Sequence, residues 1–184
     1  NITQRKKFQE EIFRTNQLFR NIINHIPQRI FWKDINSVYQ GANTQFLNDI
    51  GLNSVIDLIG KNDYQLYEKS IAEKFIEDDK LVINSNQPKL NYEEEQIDLK
   101  TKIKKWLRTN KVPLYDQNGK IIGILGTYED ITEIKEALDR IRMFSRIIEQ
   151  SPVNIAITDL SGKIIYTNSE FTKITGYKME EVLG

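Results

Sequence analysis

The sequence predicts an α+β fold, in which antiparallel strands and short helices make one domain between flanking amphipathic helices. Three observations carry this. A run of helix formers stops before Pro27. A hairpin, short helices and one longer helix follow it. Three extended segments joined by turns then lead to Asp130. With 184 residues, the chain holds one core of ~100 residues with helices to spare.

The leading segment places Phe8, Ile12, Phe19, Ile22 and Ile26 at the alternating four-and-three spacing of a coiled-coil seam, with Thr15 in the remaining slot. A helix is predicted through it, stopping before Pro27. Gln28 to Lys33 is rich in Ile, Phe and Trp, Asp34-Ile35-Asn36-Ser37 is a turn, and Val38-Tyr39-Gln40 returns as a second strand. Asn43 caps a short helix with Phe46, Leu47 and Ile50 inward, and Gly51 ends it in the left-handed region. A further helical turn is read at Ser54 to Ile59. Tyr67 to Asn84 carries Ile71, Phe75, Ile76, Leu81 and Val82 among charged helix formers and is the longest interior helix. Strands follow at Leu90–Leu99, Ile103–Leu114 and Ile121–Asp130. The last two are joined by Asp116-Gln117-Asn118-Gly119, where Asn and Gly both tolerate positive φ. Glu93, Glu94 and Glu95 oppose Lys102, Lys104 and Lys105 as a solvated charge ladder.

Shifting the sequence by 125 positions aligns Phe19 with Phe144, Pro27 with Pro152, Ile30 with Ile155, Asp34 with Asp159, Asn43 with Asn168, Phe46 with Phe171 and Gly51 with Gly176. The same domain start is therefore written twice. Asn1-Ile2-Thr3 likewise echoes Asp130-Ile131-Thr132, each opening a charged helical run. In the second run Ile131, Ile134, Leu138, Ile141 and Ile148 keep the seam spacing, with Ser145 as its polar member. Each run is either a helix packed on its own domain or a parallel contact in a homodimer, with Phe8, Ile12, Phe19, Ile22, Ile134, Leu138 and Ile141 at the contact. Thr3 to Pro27 spans 24 residues and Thr132 to Pro152 spans 20; the difference of four is a stutter that keeps a usable seam.

Composition narrows the function. Lys plus Arg and Asp plus Glu each number 26, so the net charge is zero and the excess of cations that nucleic-acid binding needs is missing. Without Cys there are no disulfides, thiolate nucleophiles, zinc ribbons or iron–sulfur clusters, a composition suited to a reducing cytoplasm. No apolar stretch approaches the ~18 residues of a membrane span, and no apolar signal core follows the N-terminus. The chain holds no glycine-rich nucleotide box and no metal-binding acidic catalytic loop, so no catalytic or metal site is expected in it. Asn1-Ile2-Thr3 fits a glycosylation sequon, a coincidence in a cytoplasmic chain.

The succession of Asp34 to Asn43, the glycine after the short helix, Trp106 with Val112-Pro113, the Asn118-Gly119 turn and Asp130-Ile131-Thr132 resembles the PAS sensor-domain family. The second start resembles it too, in Ile155-Ala156-Ile157-Thr158-Asp159, Gly162 to Asn168, Phe171 and Thr175-Gly176-Tyr177. The resemblance implies a five-stranded antiparallel sheet in the order 2-1-5-4-3, with helices over one face enclosing a pocket. It divides the chain into a leading helix at 1–18 following the tail of a preceding unit, a complete PAS domain at 19–132, a helical linker at 133–149 and the truncated start of a second PAS domain at 150–184. That last piece is expected to be mobile, swapped or packed on a neighbour. The family's role is to sense a small ligand, or relay an upstream signal, to neighbouring PAS and output domains of the same chain. The output module that the resemblance implies, elsewhere in the parent protein, is a histidine kinase or a diguanylate cyclase. A PAS unit that binds nothing and serves only in dimerisation and transmission is the alternative.

Strand alternation, combined with the family's cavity, selects Phe31, Lys33, Leu107, Thr109, Ile124 and Tyr128 as pocket candidates. An inward Lys33 would want an anion, which points to a small carboxylate; alternatively it snorkels outward or pairs with a glutamate. The longer helix has no histidine to ligate a haem iron, and His25 sits at a helix C-terminus, where a cation is favoured. The covalent flavin adduct of the light-sensing branch needs a cysteine, and Thr44 cannot supply one; a non-covalent flavin needs only an apolar slot. Asp130, Ile131 and Thr132 are the expected coupling point between the last strand and the following helix.

Overall fold

The computed structural model describes residues 2–99 and 101–184. Asn1 and the side chains of Ile2 and Thr3 lie outside what is described, and the Asn1-Ile2-Thr3 motif lies there with them. The chain forms two compact units, Asn1–Thr132 and Glu133–Gly184.

In the first unit α1 (Ile2–His25) stops two residues before Pro27. Strands β1 (Arg29–Asp34) and β2 (Tyr39–Ala42) pair across a turn in which the Asp34 carboxylate accepts from the Asn36 and Val38 amides at 2.8 and 3.1 Å. Helix α2 (Thr44–Ile50) is capped by Asn43 and closed by Gly51 at φ 77°. Short 3-10 turns at Val55–Asp57 and Asp63–Gln65 lead to α3 (Lys69–Ser85). Strands β3 (Lys89–Ile97), β4 (Lys104–Tyr115) and β5 (Ile121–Asp130) complete an antiparallel sheet in the order β2-β1-β5-β4-β3. The fold class and strand order are those the family resemblance implied.

The core lies between the sheet and the helices. Phe46, Leu58, Val82 and Ile124 are almost wholly buried and pack with Phe31 and Tyr39. Each such side chain contributes about 1.5–3 kcal/mol. A side chain at Gly126 would strike the Phe31 ring, so this glycine lets the ring lie flat across the neighbouring strand.

Three local expectations change. Leu81 faces solvent; the buried stripe of α3 is Ala72, Asp79 and Val82, one of them charged. In the loop between β4 and β5 only Gly119 takes positive φ, at 77°. The Asp116 carboxylate accepts from the Asn118 and Lys120 amides at 2.8 and 3.0 Å, which leaves Asn118 no need of the left-handed region. The charge ladder is also smaller: Lys104 meets Glu95 at 3.1 Å, but Lys105 pairs with Asp98 and Asp130, and Glu94 turns inward.

Helix α4 (Thr132–Glu149) starts at the last residue of the first unit, and the second unit holds the rest of it with the hairpin β6 (Ala156–Thr158) and β7 (Ile164–Thr167), α5 (Ser169–Thr175) and α6 (Met179–Val182). Thr167 and Asn168 are buried, while Ala156 and Thr158 are exposed. No helix among the described residues is long and apolar enough to cross a membrane.

Candidate functional site

Alternation along β1 turns Phe31 and Lys33 toward the helices, and on β4 it does the same for Leu107, Thr109 and Lys111. The 3-10 turn at Asp63–Gln65 and helix α3 face them with Asp63 and Asp79. Four charged side chains meet there, each almost fully buried. Lys33 Nζ donates to Asp63 Oδ2 at 2.6 Å and to Asp79 Oδ2 at 2.9 Å. Lys111 Nζ donates to Asp79 Oδ1 and, at 3.0 Å, to the Phe75 carbonyl. The Tyr39 hydroxyl donates to the remaining oxygen of Asp63 at 2.8 Å. The ammonium of Lys33 also stands 4.6 Å from the centre of the Tyr39 ring and 5.4 Å from that of Phe31.

Burial alone would raise the Asp79 pKa, but Lys33 and Lys111 outweigh it and hold the carboxyl below its ordinary value. For Lys111 burial prevails, assisted by the charge of Lys33, and its pKa is lowered despite Asp79. Burial, with nearby Tyr67 and Asp63, keeps Tyr39 neutral far above its ordinary value, so it acts as a fixed donor.

Beside this network lies a cavity of about 30 Å³, room for one or two waters. Phe31, Lys33, Leu107, Thr109 and Tyr128 line it, five of the six pocket residues read from the sequence; Ile124 instead packs in the core. A second space of about 30 Å³ adjoins it across a common wall of Tyr67, Gln96, Leu107 and Tyr128. A flavin ring system needs several hundred Å³, so it does not fit this cavity. Nor does the site suit haem: His25 is exposed on α1, its Nδ1 2.7 Å from the Asn21 carbonyl. No cluster of potential metal ligands occurs among the described residues.

Lys33 thus neither snorkels outward nor pairs with a glutamate; its partners are aspartates. Asp63, Asp79 and Lys111 were missed by sequence reasoning. Lys111 continues the inward alternation of Leu107 and Thr109, and Asp79 sits on the same stripe as Ala72 and Val82, so both left a signal. Asp63 belongs to a 3-10 turn that no periodicity marks.

A second constellation closes the sheet. Asp130 Oδ1 accepts from the Thr132 amide at 3.0 Å and its hydroxyl at 2.6 Å, and that hydroxyl accepts from the Trp106 amide at 2.9 Å. The Ile131 amide donates to the Trp106 carbonyl at 2.8 Å, and Ile131 is buried. Lys105 reaches Asp130 at 3.5 Å. The Thr132 bonds and Lys105 together hold the Asp130 pKa below its ordinary value against the opposing effect of burial. Thr132, the last residue of the first unit, is thereby bonded to β4. Along α1 and α4, Phe8, Ile12, Phe19, Ile22, Ile134, Leu138 and Ile141 all stand exposed, with Phe19 edge-on to Trp32 at 6.2 Å between ring centres.

A sequence profile for the PAS fold matches residues 23–136, and a second matches residues 142–184. The chain belongs to the PAS family. It is 29% identical over 131 residues to the aerobic respiration control sensor protein ArcB of Escherichia coli K12, a match covering 71% of this chain and 16% of that protein's length. A structure of the Vibrio cholerae VqmA dimer superposes with a TM-score of 0.57 at 25% identity, over 66% of this chain and 52% of that one. VqmA bound to DPO gives a TM-score of 0.55 at 25% identity, over 64% of this chain and 57% of that one.

Proposed function

We propose that this chain is the sensing and relay segment of a larger cytoplasmic sensor protein. Residues 19–132 take up a small molecule at the network of Lys33, Asp63, Asp79 and Lys111, and the signal leaves through Asp130, Ile131 and Thr132 into α4. The single observation carrying this is the network itself. Four buried charges joining β1, β4, α3 and the 3-10 turn at Asp63–Gln65 add no stability that apolar residues of the same volume would not give, so their retention favours a role in recognition. The likeness to a sensor protein, and to a protein solved with DPO bound, supports the same reading. The exposed apolar faces of α1 and α4 pair two copies in this proposal, consistent with a likeness to a dimeric protein. The output is a histidine kinase, with a diguanylate cyclase regulatory region as the alternative.

The small cavity favours a second reading, a ligand-free unit that only dimerises and transmits. Native mass spectrometry of the purified chain separates the two. A dimer with a constant additional mass is expected; a ligand-free dimer supports the second reading, and a monomer at micromolar concentration overturns the helix-mediated dimer.

A further inference from the structure

We infer that Asn118 is a site of spontaneous covalent modification, a deamidation in which the backbone nitrogen of Gly119 displaces the side-chain amide, and that Asp116 sets its pace by holding the turn closed. The same turn occurs at residues 34–38, 116–120 and 159–163. In each, the aspartate carbonyl accepts from the amide three residues on, at 3.0, 3.0 and 3.1 Å. One oxygen of its carboxylate accepts from the amides two and four residues on. The third position is Asn36, Asn118 or Ser161, and the fourth is Ser37, Gly119 or Gly162. Of these turns the first two carry an amide that the next backbone nitrogen can displace.

The two asparagines share their backbone bonds and differ in the residue that attacks. Ser37 is buried, so its amide is packed in place behind a Cβ. Gly119 has no Cβ, and nothing lies within 4 Å of where one would stand. Asn118 is exposed, and its carboxamide has no hydrogen-bond partner among the described residues. What keeps the Gly119 nitrogen from turning onto Asn118 Cγ is its bond to the Asp116 carbonyl, supported by the two bonds to the Asp116 carboxylate. Local opening of this exposed hairpin end releases it. The Gly119 nitrogen, its proton taken by hydroxide, then bonds to Asn118 Cγ. The bond from Cγ to the side-chain nitrogen breaks, and that nitrogen leaves as ammonia with a proton from water, which restores the hydroxide. Water opens the resulting cyclic imide at either carbonyl, giving aspartate, or isoaspartate in which the chain runs through Cγ. Nothing is oxidised or reduced. Either product adds a carboxylate beside Asp116. Isoaspartate also lengthens the backbone, so the bonds of Gly119 and Lys120 to Asp116 are lost and the hairpin end before β5 loosens.

The test incubates the full chain in mildly alkaline buffer and follows it by peptide mass spectrometry, with electron-transfer fragmentation to tell isoaspartate from aspartate. The expected result is the mass gain of O replacing NH in the peptide that holds Asn118 and not in the one that holds Asn36, with isoaspartate among the products. Asp116→Ala removes both carboxylate bonds and should speed the reaction in the folded chain by roughly tenfold or more. Unfolding the unaltered chain in urea frees the Gly119 nitrogen altogether; an acceleration of at least the same size is expected there, and serves if the variant does not fold. No mass gain at Asn118 in the folded chain, while the urea-unfolded chain reacts, overturns the site. Reaction of Asn36 at an equal rate overturns the selection by Gly119. A folded Asp116→Ala chain that reacts no faster than the unaltered one overturns the part given to Asp116.

Discussion

Residues 19–51 and 144–176 build the same start twice, and the comparison separates scaffold from site. Asp34 and Asp159 each tie their turn through two backbone amides, at 2.8 and 3.1 Å in the first and 2.8 and 3.0 Å in the second. Asn43 accepts from the Ile30 and Phe46 amides and donates to the Ile23 and Gln28 carbonyls. Asn168 accepts from Ile155 and Phe171 and donates to Ile148 and Val153. In each unit one asparagine thus bonds the end of the preceding helix to the first strand and the next helix. The inward positions diverge. Phe31, Lys33 and Tyr39 have as counterparts Ala156, Thr158 and Ile164, which offer neither a cation nor a phenol. The hairpin and its caps form without the charged site, so the lysine answers to what the rest of the first unit brings against it.

Exchanging the divergent residues is the strongest way to break this comparison. Lys33→Thr installs the second unit's residue and leaves Asp63 buried without a cation, an expected loss of about 3–5 kcal/mol. Both tryptophans, Trp32 and Trp106, lie in the first unit, so a fluorescence-monitored urea titration of the full chain reads that unit directly. The reciprocal Thr158→Lys puts an ammonium at an exposed position and should change stability by less than ~0.5 kcal/mol. This is read from hydrogen exchange in residues 156–167. A loss below ~1 kcal/mol for Lys33→Thr would mean that water reaches the network.

The next effect concerns the shared asparagines. Asn43→Ala removes four hydrogen bonds in a buried setting and should cost about 3 kcal/mol. Asn168→Ala removes the corresponding bonds, but Val153 is exposed and Ile148 and Ile155 only half-buried, so water can take over the freed groups. About 1 kcal/mol is expected there, seen as faster exchange of the Ile155 and Phe171 amides. Equal losses would show the second unit to be as well covered as the first.

What was legible in the sequence divides in the same way. Asp34, Asn43 and Gly51 act through backbone groups within their own turn or cap, and such local chemistry needs no knowledge of distant chain. Asn43 also donates to the Ile23 and Gln28 carbonyls, a link its local pattern does not reveal. Alternation puts Lys33 on the cavity face of β1 but leaves open whether its ammonium stays there, because its partners lie 30 and 46 residues away, where no periodicity links them. Asp79 carries the weakest kind of clue, a charge on an apolar stripe, and acquires meaning only once β1 and β4 supply the two cations. Leu81 is the opposite case: it is as apolar as Val82 beside it, yet the stripe through Ala72 and Val82 leaves it facing solvent.

The smallest difference between the two starts lies inside the turn itself. Ser37 takes φ 59°, and its counterpart Gly162 takes 88°. The left-handed region costs a residue with a Cβ roughly 1–2 kcal/mol, whereas glycine gives back 0.5–1 kcal/mol through the greater freedom of its unfolded chain. Ser37→Gly should therefore stabilise the first unit by about 0.5 kcal/mol in the tryptophan-monitored titration, and Gly162→Ser should weaken the second hairpin by a similar amount. The amides that the Asp34 and Asp159 carboxylates hold stay bonded in both variants, so the backbone path of the turn is unchanged. Ser37 is only 2% exposed. A destabilisation of the first unit by Ser37→Gly would therefore place the contribution of this residue in the packing of its side chain, and the two turns would share a backbone path for different physical reasons.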